Sequence, residues 1–149
     1  MKLSTTFTVA LVFAAALAAS PVSAQQRKTV AGIVINIGIV DALAAEHVDS
    51  QHGAHTGGHG AGAEHIVVSL ADAKSGARIA GAQIVVEVTD PKGRIQKKSL
   101  MPMTTAGVPD YSEVFDFGWS GKYVARLVVT PAGAAKPVTT RFTVNHYIP

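Results

Sequence analysis

The sequence contains no cysteine among its 149 residues. This absence excludes disulfide bonds, zinc–thiolate sites, iron–sulfur clusters, a thiol nucleophile and a lipid-modified N-terminal cysteine. It also excludes a blue-copper electron-transfer site, because that site needs a cysteine ligand. The fold must therefore be held together by its core, without covalent cross-links.

Charge is also scarce. Charged residues make up 15% of the chain, the formal net charge is +3, and no run of Lys or Arg is longer than two residues. This composition argues against a nucleic-acid partner. Hydrophobic residues make up 48%, which is too many for a largely disordered chain, and the length suits one domain.

Residues 1–24 have the pattern of a secretory signal peptide. Lys2 supplies a positive start, an apolar stretch follows, and Val22 and Ala24 place compact side chains at the two positions that a signal peptidase reads. The apolar stretch is too short for a typical membrane span, although a retained anchor is the alternative. We expect cleavage after residue 24 and a periplasmic mature protein.

The mature chain has the pattern of an all-β protein. Alternating apolar residues and turn signals predict about seven strands and no long amphipathic helix. The predicted strands lie near residues 29–40, 66–70, 84–88, 94–100, 111–117, 123–129 and 138–144. They predict an antiparallel two-sheet immunoglobulin-like sandwich. Tyr123, after Gly121, is either a tyrosine corner of such a fold or an ordinary core tyrosine.

The predicted domain boundaries follow from these patterns. Residues 25–48 hold the first strand and a short helical turn, and residues 49–63 form a loop rich in His and Gly. The loop should be mobile, because it has too little apolar surface to offset the entropy of ordering it. Residues 64–149 complete the sandwich, in one domain with residues 25–48.

Histidine is concentrated around the predicted loop. Five of the six histidines are His47, His52, His55, His59 and His65. Imidazole is a common ligand of transition metals near neutral pH, and glycines let several imidazoles converge without backbone strain. The cluster predicts a site for Cu(II), Zn(II) or Ni(II), although a solvated spacer is the alternative.

A second candidate donor set is Met101-Pro102-Met103, which contains both methionines of the mature chain. Thioether sulfur favours Cu(I), and two residues spaced i, i+2 on extended backbone point the same way. The alternative is that both methionines fill gaps in the core. His146, at the end of the last predicted strand, should emerge at a rim of the sandwich and could join His65 or the methionines.

Several stretches resemble known exported domains. Residues 121–144, GKYVARLVVTPAGAAKPVTTRFTV, look like the last two strands of YtkA-like and FixH-like β-sandwich domains. The stretches HIVVSLADAKSGARIAGAQIVVEV, LMPM and YSEVFDF are similar to a group of small periplasmic proteins, and the match covers residues 63–145. Related sandwiches include periplasmic copper-resistance carriers, which use His and Met ligands. The resemblance implies an exported sandwich, with Met101, Met103 and the loop histidines as the residues that match such ligands.

These observations favour a periplasmic metal carrier or buffer, with copper as the first choice and zinc or nickel as alternatives. The sequence contains no Ser-His-Asp motif context, no His-Glu-x-x-His motif and no phosphate-binding glycine loop, so we expect no enzymatic activity. The competing hypothesis is a module that binds no metal and docks a membrane or exported protein, through an exposed edge or its Ile-rich first strand.

Overall fold

Nine β-strands are found in the computed structural model, which describes residues 25–42, 62–105 and 107–148. They are β1 (Gln26–Val30), β2 (Ile33–Asp41), β3 (Ala63–Asp72), β4 (Gln83–Thr89), β5 (Ile95–Ser99), β6 (Met101–Thr105), β7 (Val108–Asp116), β8 (Gly121–Thr130) and β9 (Val138–His146).

The strands form two antiparallel sheets. One sheet has five strands in the order β1-β2-β3-β7-β6, and the other has four in the order β5-β4-β8-β9. Every strand pair is antiparallel. The predicted all-β, two-sheet sandwich is therefore confirmed, and its architecture agrees with an immunoglobulin-like fold.

The N-terminal segment is a hairpin, where the sequence predicted one strand over residues 29–40. Ala31 and Gly32 have φ angles of 49° and 77°, so both occupy the left-handed region. Two such residues in succession make the tight turn that suits the twist of paired strands. The turn folds β1 back onto β2, with Val30 opposite Ile33.

The second additional strand is β6, which contains the two methionines. It pairs with β7 at the edge of the five-stranded sheet. Pro102 is compatible with an edge strand, because it has no N–H group to donate to a second neighbour. The polar strand expected at residues 94–100 is observed as β5, at an edge of the other sheet.

The core lies between the two sheets and follows the alternation of the strands. In β2, Ile33, Ile35, Ile37 and Ile39 point inward, and each is at most 9% exposed. Opposite them are buried side chains of the four-stranded sheet, among them Val86 and Leu127. Burial of such side chains contributes roughly 1.5–3 kcal/mol each, so this layer accounts for a stable fold without disulfides.

Long polar side chains join the two sheets at the open corners. Gln96 of β5 donates to the backbone oxygen of Asp116 at 2.8 Å and accepts from its N–H at 2.9 Å. At the opposite corner, the Gln26 amide of β1 donates to the backbone oxygen of Thr143 in β9. Backbone groups that the sheets leave unpaired are thus satisfied by side chains.

Several sequence predictions lie outside the described residues. These are the signal peptide at residues 1–24, most of the short helical turn, and residues 49–61 of the predicted loop. In the part of the chain that is described, no helix has the length and apolar character needed to cross a membrane.

Candidate metal site

The two methionines lie on the outer face of the five-stranded sheet. Met101 and Met103 alternate with Pro102 along β6, so both side chains leave the same side of the strand. Met101 is opposite Ser112 of β7, which itself points away from the core because its neighbour Tyr111 is buried. Met101 is 60% exposed and Met103 is half-buried.

His65 shares this outer face. It belongs to β3, where its neighbour Ile66 is buried in the core, so the imidazole points outward. His65 Nδ1 and Ser112 Oγ form a hydrogen bond of 3.1 Å. Ser112 therefore lies between the other two residues: it contacts His65 and is directly opposite Met101 in the β6–β7 pair.

Met103 has a carboxylate as its neighbour across the strand pair. Its partner is Asp110 of β7, one outward-facing position before Ser112. Partial burial raises the pKa of Asp110, while the positive charge of Arg78 acts in the opposite direction. The outer face thus combines two thioethers, an imidazole, a hydroxyl group and a carboxyl group on three adjacent strands.

This donor set fits copper better than the harder divalent metals. Thioether sulfur is a soft ligand that selects Cu(I), and imidazole binds copper in either oxidation state. No three His, Asp or Glu side chains converge on a potential metal position anywhere in residues 25–42, 62–105 or 107–148. A metal on this face would therefore depend on the methionines together with His65.

His146 is located at the rim of the sandwich, but on the inner side of the five-stranded sheet. Its Nε2 is 3.2 Å from the Glu64 carboxylate, and its ring packs against Phe117 at 5.5 Å between centroids. Glu64 and His65 are consecutive in β3, so their side chains point to opposite faces. The structure therefore places His146 apart from the outer-face donors.

Glu64 is held in a partly buried position by this contact. Burial raises its pKa; the hydrogen bond and charge of His146 lower it, and the nearby charge of Asp41 adds to the rise. Glu64 and Asp41 are opposite each other at the end of the β2–β3 pair. Together with His146 they form a polar cluster at this end of the sandwich.

Of the predicted ligands, His47, His52, His55 and His59 lie outside the described residues. Ser112 and Asp110 are residues that sequence reasoning missed. Their signal was present in the alternation around Tyr111, but only the pairing of β6, β7 and β3 brings them beside Met101, Met103 and His65.

Comparison with solved structures shows several sandwiches of the same architecture. FetP of uropathogenic E. coli, expressed in the periplasm, has a TM-score of 0.64 at 15% identity, over 84% of this chain and 95% of its own. Copper-reconstituted P19 of Campylobacter jejuni has a TM-score of 0.61 at 14% identity, over 84% and 95%. The chain shares their fold. This confirms the resemblance in fold to small exported copper-binding sandwiches.

A protein of the DUF4426 family from Pseudomonas aeruginosa has the same fold, with a TM-score of 0.62 at 12% identity, over 83% of this chain and 94% of its own. A variant of FetP has also been solved with copper bound. No family model matches the sequence, and no curated protein matches it either.

Proposed function

We propose that this protein binds copper in the periplasm, as a carrier or a buffer, and that His65, Met101 and Met103 are ligands. The observation that carries the proposal is the position of three soft or borderline donors on one outer face, where Ser112 is hydrogen-bonded to His65 and lies opposite Met101. The copper-bound structures of P19 and of a FetP variant support it, because they are sandwiches of the same fold.

The exposure of the donors also supports binding and release of an ion. Met101 is largely exposed, and Met103 and His65 are half-buried. Core methionines that only fill gaps would be sealed among aliphatic side chains. An open site on a rigid sheet suits an ion that must be exchanged with a partner.

We propose His47, His52, His55 and His59 as further ligands, chiefly for divalent copper, with zinc and nickel as alternatives. Neutral imidazole is the binding form, so this part of the affinity should decrease below about pH 6. His146 also stays a proposed ligand, although it would first have to leave Glu64, with which it interacts at 3.2 Å.

The test is a Cu(I) competition titration against bicinchoninate. Replacing both methionines, M101L/M103L, should weaken Cu(I) binding at least tenfold, which corresponds to about 1.4 kcal/mol. Ile95→Leu is the matched control, because Ile95 is 59% exposed on the other sheet and Met101 is 60% exposed. Unchanged Cu(I) affinity in M101L/M103L would contradict the proposal.

The loop histidines require a separate titration with Cu(II). The triple variant H52A/H55A/H59A should lose affinity for Cu(II) while it keeps the Cu(I) affinity of the methionine site. An unchanged calorimetric titration of this variant would remove the loop from the proposal and leave the outer-face site intact.

The competing function is an exported interaction module without a metal. It would be favoured if protein isolated from its native compartment contained no copper or zinc and remained associated with a stable partner. Its sequence basis was an exposed strand edge or the Ile-rich first strand. In the structure the Ile-rich strand is β2, which lies between β1 and β3 with its isoleucines buried, whereas β6 is an exposed edge. The donors on that same strand are the observation that favours metal binding.

A further inference from the structure

A row of four charged side chains crosses the outer face of the four-stranded sheet, on the opposite side of the sandwich from the methionines. Lys97 of β5 is opposite Glu87 of β4, Glu87 is opposite Arg126 of β8, and Arg126 is opposite Arg141 of β9. The signs along the row are positive, negative, positive and positive. Adjacent strands lie about 4.8 Å apart, so the row is about 14 Å long.

The outward-facing rows on both sides of this charged row are uncharged. One consists of Ile95, Thr89, Val124 and Thr143, and the other consists of Ser99, Val85, Val128 and Thr139. The charges of this part of the sheet are thus confined to one stripe, bordered mainly by β-branched side chains. A charged stripe between neutral rows can fix the register in which a partner binds, because a shifted partner would lose its opposite charges.

The four charged side chains do not stabilise the described fold through ion pairs or side-chain hydrogen bonds. None of them has an opposite charge within 4.0 Å or a side-chain hydrogen bond among residues 25–42, 62–105 and 107–148. The neighbouring Arg94, in contrast, binds both Asp90 and Asp116. The sheet therefore leaves this particular row with its hydrogen-bonding capacity open.

The pairing of Arg126 with Arg141 is unfavourable for the isolated domain. Like charges directly opposite each other in a strand pair are destabilising, typically by a few tenths of a kcal/mol or more. Beside Arg126 the surface also has an open cavity of about 150 Å³, lined by Val85, Glu87, Lys97, Arg126 and Val128. A carboxylate bound between Arg126 and Arg141 would relieve the repulsion. The cavity itself lies around Glu87 and is not lined by Arg141.

We propose that this row docks an exported protein partner through a strip of complementary charges, in the order negative, positive, negative and negative. Three basic side chains and one carboxylate give the row a net charge of +2. This positive charge attracts acidic protein surfaces and so speeds association. Glu87 then favours those acidic surfaces that have a positive group at the matching position.

Two other occupants of this face are disfavoured by the same charges. A second copy of the chain would bring two rows of net charge +2 against each other. An anionic lipid surface gains about 1 kcal/mol per basic residue, but its mobile headgroups hold no positive group at a fixed position opposite Glu87 in the middle of the row. A protein surface can supply both signs at a fixed spacing.

This proposal is independent of copper binding, because the row and the methionines lie on different sheets. A partner docked on the four-stranded sheet would leave Met101, Met103 and His65 uncovered. Loss of copper affinity and loss of docking can therefore be observed separately.

The test uses two fluorescein-labelled, alanine-rich helical peptides of about 16 residues. A helix places positions i, i+4, i+7 and i+11 on one face over about 16 Å, which is close to the length of the row. The first peptide has Glu at all four positions, and the second has Lys at the second position. Fluorescence anisotropy measures the affinity of the full protein for each, and amide NMR shifts identify the surface that binds.

If only net charge matters, the protein should bind the all-Glu peptide more tightly. If each charge of the row needs an opposite charge on the partner, it should bind the Lys-containing peptide more tightly. We expect the wild-type protein to bind the Lys-containing peptide at least about threefold more tightly, with shifts confined to the four-stranded sheet. Glu87→Lys should invert this preference. A wild-type preference for the all-Glu peptide, or no inversion in Glu87→Lys, would overturn the proposal.

Charge reversal in R126E/R141E should weaken binding of the Lys-containing peptide more than tenfold. The control is R27E/K74E, which changes the net charge equally but alters exposed side chains of β1 and of the turn after β3. An equal loss in the control would overturn the proposal, since it would show a general charge effect. So would tighter, Arg126-dependent binding to vesicles of phosphatidylglycerol and phosphatidylcholine.

Discussion

One hydroxyl group on the outer face holds the imidazole of His65. Ser112 is hydrogen-bonded to His65 Nδ1 and lies directly across the β6–β7 pair from Met101. Groups that hold a metal-binding imidazole through its second nitrogen set both its orientation and its basicity. Ser112 is thus a positioning residue for the proposed copper site.

Ser112→Ala should weaken Cu(I) binding about tenfold, at the lower end of the range for such outer partners, because the face is open to solvent. Ser69→Ala is the matched control. Ser69 belongs to β3, points outward as Ser112 does, and accepts a hydrogen bond from Asn36 at 3.2 Å. Both variants should have the wild-type circular dichroism spectrum. Equal Cu(I) affinities of the two variants would contradict the role of Ser112.

Tyr123 illustrates what the sequence leaves open at this scale. Its hydroxyl group donates to the backbone oxygen of Trp119 at 2.9 Å and accepts from its N–H at 3.1 Å. A fully buried tyrosine that bonds the backbone four residues upstream matches a tyrosine corner. The sequence pattern could not distinguish this from an ordinary core tyrosine, because both bury the ring in the same way.

Among the connecting elements, the turn between β4 and β5 is organised around a buried carboxylate. Asp90 Oδ1 accepts from the N–H groups of Lys92 and Arg94 at 2.9 and 2.8 Å, and Oδ2 is 3.1 Å from Arg94 Nε. Desolvation alone would raise the pKa of Asp90, but these donors and the charge of Arg94 together hold it below its ordinary value of 3.8.

A lowered pKa in the folded state means that ionised Asp90 stabilises the fold above the ordinary aspartate pKa. That contribution is lost as the pH falls through the folded-state pKa. Asp90→Asn should therefore have a clearly lower melting temperature than wild type at pH 7, and the difference should shrink below about pH 4. A difference in melting temperature that did not shrink below about pH 4 would contradict this role of Asp90.

The elements also differ in how well the sequence predicted them. Strands with one apolar face, such as β4 and β9, were predicted because alternation and flanking turns agree. The β1–β2 hairpin was missed because Val30-Ala31-Gly32-Ile33 has the pattern of a continuous apolar strand, whereas the turn requires Ala31 as well as Gly32 to adopt a left-handed conformation. The outer-face site could be predicted in its residue types, but its geometry depends on long-range pairing of β3, β7 and β6.

For the whole molecule, the core and the candidate metal site are separate structures. The buried cluster between the sheets includes Ile35, Val68, Phe115 and Phe142, whereas His65 and the methionines are on the outside. Zinc fingers, in contrast, are unfolded without metal because their ligands take the place of a core. Here the metal should add stability to a fold that exists without it.

Removal of metal with bathocuproine disulfonate and EDTA should therefore leave the circular dichroism spectrum and cooperative thermal unfolding in place. Adding Cu(I) at 100 times its dissociation constant should then stabilise the folded state by about 2.7 kcal/mol. Differential scanning calorimetry of the metal-free and loaded protein measures both. Loss of cooperative unfolding on chelation would show that the core is not sufficient.

The pairing at the end of β2 and β3 has an evolutionary consequence. Asp41 is opposite Glu64, and the backbone oxygen of Gly62 accepts from the Phe117 N–H at 2.7 Å. Residues 43–61 thus connect two anchored strand ends, and doubling the length of a flexible connection costs only about 0.6 kcal/mol in closure entropy. If the proposed loop ligands bind metal, histidines added to or deleted from residues 43–61 would change the metal capacity of the protein without changes to the scaffold.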